Sequence, residues 1–292
     1  MTFNQFVVGS NPTEFNITCD RGKQEIGVRK HSFTTPLGIV VSCHKFMRLL
    51  NDGFIELVDY LGNDYSILRA ARTSTGNEAV KGDKKDRELI RYLYRNEHMS
   101  PFEFVTFHFH VKMPIFVGRQ FFRHRAFSFN EISARYKDFK FECFYPEVWR
   151  EQSSKNKQSS DGVVESQQYF NDYINSIYEK SNTMYRSLIG KNVAREQART
   201  VMPVGQYTEF FFRADLRNLL HFLELRLDTH AQYEIRVYAE AILETLEHLE
   251  SLKWSVEVFK DVYKLKQAFK ESMDTAFKEN TIEDLEDYMR SY

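Results

Sequence analysis

The chain has 292 residues, with 40 Lys and Arg against 41 Asp and Glu and a formal net charge of −1. That length is enough to bury a large core. The near balance of charge disfavours a general nucleic-acid binder, so anion binding has to come from local clusters. Aromatic residues reach 15%, which fits an aromatic core and equally a site for flat ligands.

The start, MTFNQFVVGSNPTEFN, has no basic stretch followed by an apolar run, so no signal peptide is expected. No segment is apolar for the length of a bilayer span, so a cytoplasmic protein without a membrane partner is expected. Cys19, Cys43 and Cys143 form no CxxC pair. That points to a reducing compartment and away from a disulfide framework or a cysteine zinc site.

Residues 1–50 read as an irregular N-terminal extension, with one strand around Gly38–Cys43. GFIELVDYLG (53–62) predicts a strand ended by the turn formers Gly62-Asn63-Asp64, and 65–74 has helical character. In 86–98, Leu89, Ile90 and Leu93 share one helical face. Ser100-Pro101-Phe102-Glu103 has the form of a capping box with Pro at the first helical position. Beyond it, Val105, Phe107, Phe109 and Val111 alternate with Thr106, His108, His110 and Lys112. The pattern predicts one tight turn and then a strand with one buried face.

Pro114 opens a short helix over 115–123 that puts Arg119, Gln120 and Arg123 at helical spacings. RHRAFSFNEISARY (123–136) then runs into a loop. The polar segment 151–168 reads as an exposed insertion and not a domain boundary. Phe170, Tyr173, Ile174, Ile177 and Tyr178 trace an amphipathic helix that stops near Gly190, a C′ residue. A short helix over 192–204 is broken by Pro203. TEFFFRADLRNLLHFLELRLD (208–228) reads as one long buried helix with Arg213, Arg217 and His221 on its polar side. Thr229-His230-Ala231-Gln232 reads as a second capping box, opening a helix to about Leu249, and 251–292 is a charged helical tail. Strands in the first half and helices in the second predict an α+β fold.

The stretch 123–136 holds three adjacent cations, Arg123, His124 and Arg125, followed by Ser128, Asn130, Glu131, Ser133 and Arg135. A guanidinium fork matches two phosphate oxygens at once, so Arg123, Arg125 and Arg135 suit a phosphate. Ser128, Asn130 and Ser133 add donors for a base or sugar, and Glu131 adds an acceptor. A nucleotide pocket and an exposed basic loop paired with nearby acids both fit this spacing. Arg213, Arg217 and His221 need partners on an apolar helix. Ion pairs with Glu209, Asp215 or Glu224 and a phosphate-bearing cofactor both satisfy them. His108-Phe109-His110 looks like a metal-binding HxH, but no third ligand follows it. A half-exposed strand face is the better reading, and no metal is expected. GxGxxG, the P-loop and GxSxG are absent, so neither a Rossmann nor a P-loop grip is indicated.

Arg123-His124-Arg125, seven residues and then Ser133 match the RHR-x7-S signature of the flavin-dependent thymidylate synthases. Residues 97–136 resemble that family throughout, as do LRAARTS (68–74) and the stretch 193–235. The resemblance runs from about 53 to 250. It implies conversion of dUMP to dTMP, with 5,10-methylenetetrahydrofolate as carbon donor, NADPH as reductant and bound FAD as hydride relay. It also implies a homotetramer with active sites between subunits and an α+β fold with an antiparallel or mixed sheet core and long helices. On this division 1–50 is an extension, 51–255 the synthase domain with an insertion at about 151–168, and 256–292 a helical tail.

Position by position, the resemblance implies FAD contacts at Ser74, Ser100, Glu103, Arg123, His124, Arg125, Asn130, Glu131, Asp215, Arg217 and His221. It implies dUMP contacts at Gln120, Arg123, Glu131, Ile132, Ser133, Ala134, Arg135, Arg199 and Arg226. It implies that Arg226 is the catalytic arginine, set against the pyrimidine. Three positions depart from the family pattern: Ala134 stands where Gly is frequent, and Asp215 and His221 where Asn is frequent. No cysteine falls in a matching motif, so a thiolate nucleophile is not indicated, and Ser133 is expected to bind substrate rather than attack it. The rival readings are a non-catalytic nucleotide-binding protein, an RNA-binding module and a metal enzyme built on His108 and His110. None of them explains the ordered motifs from 68 to 235.

Overall fold

The alternation of Val105, Phe107, Phe109 and Val111 with polar residues becomes strand β5 (Thr106–Pro114), whose inward side chains are fully buried. The computed structural model describes residues 14–18, 25–29, 44–74, 76, 82–136, 140–154 and 159–278. It separates into two units, Met1–Gly62 with Glu103–His248, and Asn63–Phe102 with Leu249–Tyr292.

The first unit is built on a seven-stranded antiparallel sheet. Its strands are β1 (Glu14–Thr18), β2 (Glu25–Arg29), β3 (His44–Leu49), β4 (Gly53–Leu61), β5, β6 (Ser128–Glu131) and β9 (Tyr207–Asp215). They lie in the order β1-β2-β3-β4-β5-β9-β6. A separate hairpin joins β7 (Glu151–Gln152) to β8 (Ser160–Asp161). Phe109 of β5 faces Phe212 of β9, and their rings stack with centroids 5.0 Å apart. The helices of this unit are α3 (Ile115–Phe121), α4 (Gln167–Gly190), α5 (Arg195–Ala198), α6 (Leu216–Arg226) and α7 (Tyr233–Glu247). Helix α7 packs on β3, β4, α3 and α6. Its fully buried Tyr238 donates to the carbonyl of Lys112 at 2.7 Å. Gly53 lies under that hydroxyl, where a Cβ would collide with it.

The second unit holds α1 (Asp64–Thr73), α2 (Asp83–Arg95) and α8 (Lys253–Lys278). Asn63 and Ser66 form a reciprocal capping box at the start of α1. The Asp64 carboxylate accepts from the Trp254 and Ser255 amides at 2.8 and 3.2 Å, satisfying free donors at the start of α8. A buried ion pair joins Arg72 to Asp86. Among the described residues no helix is long and apolar enough to cross a membrane.

Helices mixed with an antiparallel sheet agree with the α+β expectation, but several local expectations are corrected. The stretch 208–228 is not one helix: it is β9 up to Asp215 and then α6. Phe210, Phe212 and Ala214 are buried at every second position and pair with β5, so sheet pairing overrides the helical reading. The Asp215 carboxylate accepts from the Asn218 amide at 2.9 Å and starts the helix. Arg213 therefore lies on a strand and shares no helical face with Arg217 and His221. Within residues 1–50, Glu14–Thr18, Glu25–Arg29 and His44–Leu49 are β1, β2 and β3, which extend the sheet, so the irregular reading fails for those segments. The strand expected at 38–43 falls outside the described residues. Residues 128–131 are an edge strand, not a loop. The left-handed residue after α4 is Asn192, φ 60°, rather than Gly190. Helix α7 starts after Gln232, and Thr229 does not cap it.

Candidate active site

Helix α3 ends in a tight turn that carries the cationic triplet. The Arg123 amide donates to the Gln120 carbonyl at 3.2 Å, and the Phe127 amide to the His124 carbonyl at 3.0 Å. The turn buries Phe121 and Phe127 and leaves Arg123 and Arg125 exposed. His124 points inward, with its ring 4.8 Å from Phe222 of α6 and 5.7 Å from Phe127. One turn further along α6, Arg226 Nε donates to His124 Nε2 at 3.1 Å. Burial first, then repulsion by Arg226 and by His221, pulls the His124 pKa down to about 4. The ring is therefore neutral at pH 7, with its lone pair on Nε2 and its proton on Nδ1. Burial also lowers the pKa of Arg226, which remains a cation.

Strand β6 leads out of the turn. Phe129 faces Phe212 in the pairing with β9, and Asn130 and Glu131 are exposed beside it. Glu131 accepts from Thr208 Oγ1 at 2.5 Å. The Ile132 amide donates to the Glu209 carbonyl at 2.9 Å. A turn at 133–136 follows, in which Ser133 Oγ accepts from the amide and Nε of Arg135, both at 3.3 Å. The Arg135 guanidinium lies 5.2 Å from the centre of the Tyr136 ring. Ala134 is buried and its backbone stays out of the left-handed region, so the Cβ that replaces the frequent glycine is unstrained.

The remaining expected site residues are placed as follows. Glu103 pairs with Arg217. Asp215 uses both carboxylate oxygens on Asn218, at 2.9 and 2.7 Å. His221 is exposed on α6. Arg199 is exposed after α5, with Nε 3.4 Å from the Glu196 carbonyl. Ser74 and Ser100 belong to the other unit; Ser74 Oγ donates to the Ala71 carbonyl at 2.8 Å. The fold thus joins His124 to Arg226 and sets β6 beside β9, while among the described residues the Arg199 side chain meets only the nearby Glu196 carbonyl.

Three polar residues beside the site, Gln232, Glu234 and Arg150, are not marked as site residues in the sequence; Gln232 stands out there only as the last position of the expected capping box. Gln120 donates to Gln232, Gln232 to Glu234, and Arg150 pairs with Glu234. Arg150 also lines a cavity of about 370 Å³ with Leu49, Leu50, Phe144, Val148 and Tyr233.

Among the described residues Arg123, Arg125 and Arg213 meet no carboxylate. An anionic ligand would supply what they lack, which is the condition a flavin diphosphate sets. His110 lies 2.7 Å from Glu209 and 3.8 Å from Glu56. Burial opposes its charge, but the bonds to Glu56 and Glu209 prevail and raise its pKa. Among the described residues no group of three His, Cys, Asp or Glu could hold a metal ion. Cys143 is buried 3.6 Å from Gln206 Oε1, and burial pushes its thiol up to about 12. It is not a nucleophile at neutral pH.

The family model described as thymidylate synthase complementing protein matches residues 56–249. A flavin-dependent thymidylate synthase of Thermus thermophilus is 48% identical over 207 residues, which is 71% of this chain and 76% of the relative. One of Treponema denticola is 48% identical over 206 residues, 68% of this chain and 77% of the relative. Among solved structures, a UMP/dUMP methylase from Streptomyces cacaoi bound with 5-Br dUMP superimposes with a TM-score of 0.66. It is 32% identical, covering 72% of this chain and 95% of that one.

Proposed function

The chain belongs to the flavin-dependent thymidylate synthases, and from that premise we propose that it methylates dUMP to dTMP. The carbon would come from 5,10-methylenetetrahydrofolate and the reducing equivalents from NADPH, through bound FAD. The assembly would be a homotetramer with active sites between subunits, and residues 51–255 would form the catalytic domain, between an extension and a helical tail.

The observation that carries this reading is the bond from Arg226 to His124. Uracil is a poor electrophile at C6. A cation beside N3 or a ring carbonyl stabilises the negative charge that builds as hydride adds. A carboxylate partner would orient Arg226 but cancel much of its charge. Neutral His124 orients it through Nε and leaves the charge intact, and among the described residues neither terminal nitrogen has a partner, so both can meet the pyrimidine. Half-burial strengthens that charge by keeping water away.

A bound flavin would supply the hydride. Arg123 and Arg125 suit its diphosphate, and Arg217, His221 and Asn130 are further proposed flavin contacts. The turn at 133–136, with Arg135 and Ser133, suits the phosphate of dUMP, and Arg199 adds a second guanidinium. Ser133 Oγ already accepts two bonds from Arg135 and has no base beside it among the described residues. That supports a binding role over a nucleophilic one.

The test is the visible spectrum of the purified protein after incubation with FAD and desalting, followed by an assay for dTMP. A retained flavin band that shifts with dUMP, together with dTMP formation, is expected. Failure to retain flavin at any FAD concentration would overturn the proposal in favour of nucleotide binding without catalysis.

A further inference from the structure

Gln120 stands where dUMP is proposed to bind, and its neighbours decide which end of its amide faces the ligand. Gln120 Nε2 donates to Gln232 Oε1. Gln232 Nε2 donates to Glu234 Oε2 at 2.8 Å. The other oxygen of Glu234 receives Arg150. Glu234 is only 4% exposed. Arg150 is pinned in turn, with Nε 2.8 Å from Ser160 Oγ and its guanidinium 4.6 Å from the centre of the Tyr233 ring.

The chain of bonds has a direction. A carboxylate in an ion pair only accepts. Gln232 must therefore turn its NH₂ toward Glu234 and its carbonyl toward Gln120. Gln120 must then turn its NH₂ toward Gln232. Its carbonyl oxygen is the end left without a partner among the described residues. With an amide in place of the carboxylate, Arg150, which only donates, would hold the amide oxygen; the NH₂ would then face Gln232, the chain would run the other way, and Gln120 would flip.

We infer that Glu234, held by Arg150, is a positioning residue that fixes the polarity of Gln120 through Gln232, so that Gln120 meets the nucleotide as a hydrogen-bond acceptor. Its partner is a donor on the nucleotide, either a sugar hydroxyl or the pyrimidine N–H. An acceptor there discriminates against a ligand that offers a lone pair at the same point. The inference rests on dUMP being the substrate.

The experiment measures the Kd of dUMP by calorimetry, and steady-state kinetics, on FAD-loaded protein. Glu234→Gln is expected to weaken dUMP binding on the order of tenfold, through KM, with kcat falling less than about threefold. The double variant Gln232→Glu, Glu234→Gln moves the carboxylate one link along. It again forces Gln120 to donate inward, and is expected to recover affinity to within about threefold of the parent. A residue with a merely structural role gives no such recovery. Gln232→Met, which breaks the chain and leaves the ion pair in place, is expected to match the single variant and covers the case in which Glu234→Gln does not fold. Unchanged affinity in Glu234→Gln or Gln232→Met, or no recovery in the double variant, would overturn the inference. Comparing N3-methyl-dUMP with 2′,3′-dideoxyuridine monophosphate identifies the donor: the right analogue binds parent and Gln232→Met equally. A parent protein that binds dUMP but forms no dTMP would sink the catalytic reading while the recovery still supports the chain of bonds.

Discussion

Lowering the pH from 7 to 5 charges a histidine in the unfolded chain, but it does not charge His124 in the folded one. The imidazole ordinarily titrates near 6.5 and in the fold at about 4, chiefly through burial and then through Arg226 and His221. The folded pKa is depressed, so the penalty is absent above about 6.5, grows as the pH falls, and is constant below about 4. At about 1.4 kcal/mol per pKa unit, proton uptake by the unfolded chain at pH 5 works out to about 2 kcal/mol. Water at the half-buried ring trims this to about 1–2 kcal/mol. His124→Gln keeps an acceptor for Arg226 and cannot titrate. The assay is denaturant unfolding of both proteins at pH 7 and pH 5, at one protein concentration, followed by circular dichroism. All other groups titrate alike in the two proteins, so the difference between their losses isolates His124. The parent is expected to lose about 1–2 kcal/mol more than the variant on acidification. Equal losses would refute the neutral, buried histidine and with it the account of how Arg226 is oriented.

Arg226→Ala is expected to cut dTMP formation at least ~10²-fold with FAD still bound; turnover near that of the parent would remove Arg226 from the mechanism. Asp215→Ala loses both bonds to Asn218 at the start of α6 and is expected to lower stability by about 1 kcal/mol. An unchanged unfolding midpoint would show that α6 does not depend on this cap. In a Cys19→Ser, Cys43→Ser background, Cys143 is expected to react with a thiol reagent at pH 8 on the order of 10³ times more slowly in native protein than in denaturant. Rapid labelling of the native protein would contradict its burial.

How much was legible depended on whether a pattern had one period or two. Val105 to Val111 could be read as a strand because apolar and polar residues alternate strictly there. The stretch 208–228 could not, because three consecutive phenylalanines satisfy either period. The pairing that settles it comes from β5, about a hundred residues away in the chain. The strands within 1–50 are short: Glu14–Thr18 and Glu25–Arg29 alternate over only five residues each, too few to set them apart, and their place in the sheet reveals them. In the site, the adjacent cations at 123–125 stood out by charge density alone. The bond between His124 and Arg226 spans 102 positions and follows from how α6 packs, not from any spacing. Gln232, Glu234 and Arg150 were missed for a related reason: each is ordinary by itself, and only their sequence of bonds gives them a direction.

Phe129 sits on β6 between Ser128 and Asn130, and its ring lies against Phe121, Phe122, Phe127, Phe210 and Phe212. Neighbouring residues of a strand point to opposite faces, so that ring decides which way Asn130 points. A slip of one residue would bury Asn130 and expose the ring. The apolar cluster and the candidate site therefore share one short length of chain and cannot drift apart independently over generations. A substitution among these phenylalanines that shifts the register moves Asn130 with it.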